Sequence, residues 1–537
     1  MKGISWLTVV LGGLVATACG GGGGGGNPGA APAPVTVHGR ITYDYIPPAP
    51  VTRALDFGAV QRTPAVGVTV QAVSPDDSVL EATAADSGGN YSLSAVTGTD
   101  LRIRVLAERR RAGTPGWDTR VIDNTSGGAL YAMETALFEV PAGGATRDLH
   151  AASGWGGSGY TSARTAAPFA LLDAVRLGET RVLEVAPDTV FPELALNWSE
   201  TNAPSDDFRP ELGQIVTTSY RAGAIYVAGD AAVDTDEFDR HVVLHEWGHY
   251  YENQFSRSDS VGGDHSVVSR LDLRVAYSEG WANAWSAIAQ DDPVYSDTGR
   301  PESTTDVFRF DIDGNAQFVE GWYAEMTTAG LLWDIYDPAP DGLDGLALGY
   351  GPIDAVLRGP QRTTAALTSI YTFLAHLKEI EPDARALLDA MAESRGVIAT
   401  DQDIWGSRET NDAGYADVLP LYTDLTLDGP TVNICSASPD GGSYNKIGNL
   451  RLLRVDLAAA AHVQFEAVGP PGSDPDFAYW NRGRAMASAG GGTVELLELQ
   501  APAGAQVLEV YEFGNVRSDA PPLGRTCFDV TARSLPP

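Results

Sequence analysis

The chain has 537 residues, with 36 Lys and Arg against 70 Asp and Glu, a formal net charge of −34 at pH 7. That length exceeds what one apolar core organises and predicts about three domains at ~100–200 residues each. Phosphate binding needs clustered cations, so this excess of acid sets nucleic-acid partners aside and reads as solubility outside the cell.

Lys2 precedes an apolar run from Ile4 to Val15, and the small residues Ala16, Thr17 and Ala18 lead to Cys19. This is the layout of a signal peptide, too short to persist as a spanning helix, so residues 1–18 are expected to be removed. Residues 14–19 resemble a bacterial lipoprotein cleavage box, with Ala16 standing where Leu is usual. The resemblance implies lipidation of Cys19, an outer-membrane or cell-surface location, and membrane contact through that anchor alone. Secretion after an ordinary signal peptide is the alternative. The unbroken glycines of residues 20–26 and the Pro/Ala-rich residues that follow predict a flexible tether over 19–34.

From Val35 the apolar residues alternate, through Val35, Val37, Ile41 and Tyr43 and again through Val68, Val70 and Ala72, with turn residues at Ser87-Gly88-Gly89-Asn90. Alternation with this punctuation predicts a small β-sandwich over 35–150. The run Asp86-Ser87-Gly88-Gly89-Asn90-Tyr91 resembles the carboxypeptidase regulatory-like domains found beside secreted enzymes. Helical periodicity then dominates between about Leu171 and Gly396, and residues 151–425 are expected to form a mainly helical α+β catalytic domain. Alternation returns through Leu450, Leu452, Leu453 and Val455 and through Val494, Leu496, Val507 and Val510, predicting a second β-sandwich over 426–537. Its runs Asp474-Pro475-Asp476 and Ala501-Pro502-Ala503-Gly504 resemble the pre-peptidase C-terminal domain. Cys435 and Cys527 both lie in this tail, and an even pair in an oxidising compartment predicts one disulfide.

The chemistry concentrates in His245-Glu246-Trp247-Gly248-His249. On a helix, residues four apart share a face, so His245 and His249 can present two imidazole nitrogens to one Zn²⁺. Glu246 is then placed to take a proton from water at the open position and pass it to the leaving amine. Upstream, the strand-like residues 224–227 are expected to offer an edge to an extended substrate. Asp234, Asp236, Glu237 and Asp239 are expected to cap the helix and complement its dipole, in preference to binding calcium. His241 stands roughly 12 Å from His249 at 1.5 Å per residue, too far to share the ion, and is expected to be a supporting or surface histidine.

A metzincin would need Gly at position 252 and His or Asp at 255, where this chain has Glu252 and Phe255. Downstream, Ala276 to Trp285 reads as a second buried helix carrying Glu279, a carboxylate that needs a partner. Two histidines on one helix and a Glu on the next resemble the gluzincins, the thermolysin-like group of zincins. That resemblance implies Glu279 as third zinc ligand and Asn283 supporting a ligand imidazole, where such enzymes keep an Asp. Asp264 or His265, in the polar loop of residues 256–265, is the alternative third ligand. His265 and Tyr323 are also candidates to stabilise a tetrahedral oxyanion. The expected function is a zinc-dependent endopeptidase acting on protein or peptide substrates. A non-catalytic adhesin on the same scaffold, or a zinc amide hydrolase of a non-peptide substrate, uses the same residues.

Overall fold

The computed structural model describes residues 34–314, 318–339, 345–438, 440, 443–517 and 521–536. The expected signal peptide, Cys19 and the tether up to residue 33 lie outside the described residues.

Alternating burial of Val37, Ile41 and Tyr43 seats the strand Pro34–Tyr45 on the core. It pairs antiparallel with Asn90–Val96 and Gln61–Pro64, and parallel with Ala145–Thr146 and Leu149–Ala151. A larger sheet orders Val79–Ala84, Val68–Val73, Asp100–Arg111, Trp117–Asp123, Leu194–Trp198, Ala224–Val227 and Ser219–Arg221 side by side. This sheet runs straight across the domain boundary expected at residue 150, because Leu194–Trp198 docks parallel on Trp117–Asp123. Helix α1 (Ala167–Val185) packs on the same strands, and a buried ion pair at 2.5 Å, Arg109 Nη1 to Glu179 Oε2, fastens it there. The N-terminal strands and the helical region therefore share one sheet and one core, which includes Val70, Val121, Leu196 and Ile225.

Three helices carry the centre of the molecule: α2 (Arg240–Phe255), α3 (Leu273–Ile288) and α4 (Glu325–Tyr336). All 16 residues of α3 are buried, so this helix runs through the interior and its polar side chains must find partners there. Two glycines permit the close approach. A Cβ on Gly248 would meet Ala282 Cα at 3.1 Å across the α2–α3 contact, and one on Gly280 would meet the Glu325 carbonyl oxygen at 2.5 Å across the α3–α4 contact. Trp247, Trp281, Trp285 and Tyr251 fill the space around these helices with stacked and tilted rings.

The C-terminal strands form a five-stranded and a four-stranded sheet. Leu453, Val455, Phe477 and Leu508 from the first, and Phe465, Leu497 and Phe528 from the second, make one separate apolar core. The unit begins slightly before residue 426, since Tyr422–Asp424 pairs with Leu450–Leu457. Cys435 and Cys527 face each other across neighbouring strands and are joined by a disulfide.

An ion network ties this unit to α3. Asp272 caps the helix by accepting from the Arg274 backbone N–H at 3.0 Å, and its carboxylate also receives the Arg274 guanidinium at 2.7 and 2.9 Å. Arg274 Nη1 then donates to Glu509 Oε2 of the C-terminal unit at 2.6 Å. Burial opposes the charged guanidinium, but the two carboxylates outweigh it and hold the arginine protonated. Among the described residues no helix is long and apolar enough to cross a membrane.

Candidate metal centre

Helix α2 turns His245 and His249 to the same side, and α3 brings Glu279 against them. One ligand atom from each of the three lies within 4.8 Å of the others. Glu279 Oε2 is 3.3 Å from His245 Nε2 and 3.2 Å from His249 Nε2. The His245 Nδ1 atom sits 3.0 Å from Asn283 Oδ1, one turn along α3 from Glu279. An amide oxygen only accepts, so the proton belongs on Nδ1 and the Nε2 lone pair faces the cluster. Behind His249, Ser278 Oγ lies 3.5 Å from Nδ1 and donates to the buried Glu252 at 2.7 Å. Burial pushes Glu252 up to about 7. Burial works against charge on His249, yet Glu279 outweighs it and lifts the imidazole to about 9. Glu279 is also buried, but His249 and His265 hold its carboxyl well below the ordinary range. Two imidazole nitrogens and one carboxylate oxygen, converging in a buried pocket, are a donor set suited to zinc.

Glu246 lines the same cavity of about 320 Å³ as His245, Asn283 and His265. Its Oε2 accepts from the Tyr220 backbone N–H at 2.6 Å. Tyr220 belongs to Ser219–Arg221, the outermost strand of the large sheet. The edge beside the site is therefore this short strand; residues 224–227, expected there, are one place further in and paired on both sides.

His265 enters the cluster from its loop. Its Nε2 is 3.3 Å from Glu279 Oε2 and its Nδ1 is 2.8 Å from Glu325 Oε2, at the first turn of α4. Burial disfavours its charge, but Glu279 and Glu325 prevail and raise it to about 9.

Several expectations are corrected. Asp264 is exposed, and only its backbone carbonyl is engaged, accepting from Asn445 at 3.0 Å and from Lys446. Tyr323 precedes α4 and is absent from the cavity wall; its hydroxyl points to Asn411 at 3.4 Å, because the ring packs against Trp322 and over Gly321. His241 is not at the surface: it is buried one turn before His245, the two rings meeting Tyr295 in common, its Nε2 is 3.0 Å from the Asp292 carbonyl, and burial lowers it to about 4. The acids before α2 do not cap it. Asp239 holds the N-cap position without a side-chain cap bond, and the first turn contains no acid. Its Oδ1 instead receives the Thr298 hydroxyl at 3.3 Å, while Glu237 is paired with Arg164 at 2.6 Å. Asp234 and Asp236 turn into the cavity wall beside Asp297. Sequence reasoning missed Glu325, Ser278, Asp297 and the Tyr220 amide, whose partners are remote in the chain.

The geometry defines a class of site: two histidines one helical turn apart, a carboxylate from the next helix, and a further carboxylate beside them on an open cavity. Residues 193–352, which contain all of these groups, match the Mycolysin C-terminal domain family. No curated protein matches the chain. Among solved structures, the pre-peptidase C-terminal domain of a Bacillus anthracis collagenase is 13% identical, covering 21% of this chain and 93% of its own, with a TM-score of 0.16. PliG, a periplasmic inhibitor of g-type lysozyme from Aeromonas hydrophila, is 14% identical over 21% of this chain and 96% of its own, with a TM-score of 0.14.

Proposed function

We propose that the chain is an extracytoplasmic zinc metallopeptidase, an endopeptidase acting on protein or peptide substrates. The observation that carries this reading is the convergence of His245, His249 and Glu279 within 4.8 Å, with Glu246 on the same cavity. The match of residues 193–352 to a protease-associated domain supports it. A zinc ion bound by these three side chains would acidify its water and polarise the scissile carbonyl.

The chain's own groups divide the remaining work. The Glu246 carboxylate takes the proton of the attacking water and later delivers it to the leaving nitrogen. His265, held through Nδ1 by Glu325, donates from Nε2 to the oxyanion. Asn283 keeps the His245 ring oriented. The Ser219–Arg221 edge pairs with the backbone of an extended peptide, which makes hydrolysis within a chain sterically natural. Lipidation at Cys19 would leave the enzyme on a bacterial outer membrane or cell surface.

The test is metal analysis of purified protein together with casein proteolysis, with and without chelator. One zinc per chain and chelator-sensitive cleavage are expected. Protein that holds zinc but cleaves no peptide would move the reading to a binding protein or to hydrolysis of another amide.

A further inference from the structure

The cavity lined by His245 and Glu246 is also lined by acids that the peptidase reading does not use. Carboxylate oxygens of Asp234, Asp236 and Asp297 lie within 4.8 Å of one another. Asp236 is 2% exposed; one oxygen accepts from the Thr218 hydroxyl, and the other, Oδ1, has no hydrogen-bond partner. Asp234 Oδ1 and Asp239 Oδ2 are likewise buried without a partner. No Lys, Arg or His among the described residues forms an ion pair with any of these four acids, although Glu237 in the same run has Arg164.

Carboxylates placed this way repel one another, and the buried Asp236 has also lost its water, a cost that a bound cation removes. Asp234 Oδ1 and Asp236 Oδ1 are buried acceptors with no donor, and a cation would satisfy them. We propose that Asp234, Asp236 and Asp297 form a second metal site, for a hard divalent cation of the calcium type. The donors are all oxygen, with no imidazole or thiolate, which disfavours zinc there. Calcium takes 6–8 oxygen ligands in flexible geometry, so the site's opening onto the cavity lets water complete the shell. The position gives the ion a structural task. Asp234 and Asp236 belong to the segment that enters α2, and Asp297 to the hairpin of Val294–Thr298 with Val307–Asp311, whose Tyr295, Phe308 and Phe310 form the cavity's apolar side. A bridging ion clamps that hairpin to the start of the histidine-bearing helix.

The site is tested with Ca²⁺ itself, on the full mature chain stripped of metals. Titration calorimetry should show saturable uptake of one Ca²⁺, and the melting temperature should rise with Ca²⁺ and not with NaCl of equal ionic strength. Asp297→Asn should weaken Ca²⁺ binding at least about 10-fold. The double variant His245→Ala/His249→Ala should bind Ca²⁺ as the parent does, which separates this site from the zinc reading. If Asp297→Asn does not fold, Asp234→Asn and the melting shift of the parent decide. No saturable uptake and no melting shift at millimolar Ca²⁺ would overturn the proposal. So would unchanged binding in a folded Asp297→Asn variant. Absence of Ca²⁺ binding, with Asp297→Asn abolishing cleavage of Lys- and Arg-containing peptides only, would overturn it in favour of a pocket for a cationic side chain.

Discussion

Asn283 Oδ1 and His245 Nδ1 stand 3.0 Å apart, so α3 supplies both a candidate ligand, Glu279, and the group that orients another. Asn283→Ala should lower zinc affinity or activity by about 10–100-fold, the usual cost of losing an outer hydrogen bond to a metal-bound histidine. Asn283→Asp should restore it, because a carboxylate accepts from Nδ1 equally well. Glu279→Ala should cost more zinc occupancy than Asn283→Ala, and the reverse order, measured by metal analysis, would exclude Glu279 as a ligand.

Glu246→Gln should retain zinc and lose hydrolysis by ~10²–10⁴-fold, since the ligands survive while the proton acceptor is gone. Undiminished turnover would sink the mechanism.

His265→Ala should bind zinc and lose kcat more than KM, because its Nε2 sits against Glu279 where an oxyanion donor is needed. Asp264→Ala, one residue away and exposed, should leave both unchanged. Loss of zinc from the His265 variant would reassign it as a ligand.

Gly280→Ala tests the packing that presents Glu279. Its methyl would lie 2.5 Å from the Glu325 carbonyl oxygen and 2.4 Å from Thr328 Cβ. Overpacking of this kind typically costs about 1–3 kcal/mol. The helices must separate, so the variant should melt earlier and lose zinc, whereas Gly143→Ala, with open space around it, should keep its zinc.

In the C-terminal unit, burial, together with Asp474, Glu495 and Glu512, pushes the Asp476 carboxyl up to about 7. Its ordinary value is 3.8, so between these two values the folded chain binds the extra proton. Stability from this residue is therefore present at low pH and falls as pH rises towards 7. Protection from hydrogen exchange in Pro475–Trp480, taken relative to the intrinsic exchange rate at each pH, should fall across that window, and Asp476→Asn should flatten the dependence. An unchanged slope in the variant would assign it to other groups.

Local pattern carried much of this architecture. The pair His245/His249 needs only one helical turn to meet, and Glu279 announces itself as a lone carboxylate in an apolar helix. Contacts between distant segments are a different matter. Alternation in residues 117–123 and 194–198 reveals two strands but not that they pair, so the sheet that joins the expected N-terminal domain to the helical region could not be read. The acids before α2 fit a helix start equally well, and only Asp297, about sixty residues on, distinguishes a capping run from a cluster. Tyr323 is a candidate by residue type, yet its direction is set by Trp322 and Asn411, which the local pattern does not encode.

The bond between Arg274 and Glu509 bears on how such a chain can change. Arg274 opens the helix that carries Glu279 and Asn283, and its charge is buried under the C-terminal unit. Without Glu509 the guanidinium keeps Asp272 as its one carboxylate partner. Exchanging the tail for an unrelated one that covers Arg274 without an acid therefore leaves a buried guanidinium with Asp272 alone at the root of the site. The two units are bound to a common inheritance: a replacement tail must bring its own acid to the place of Glu509, or the change must be matched at Arg274.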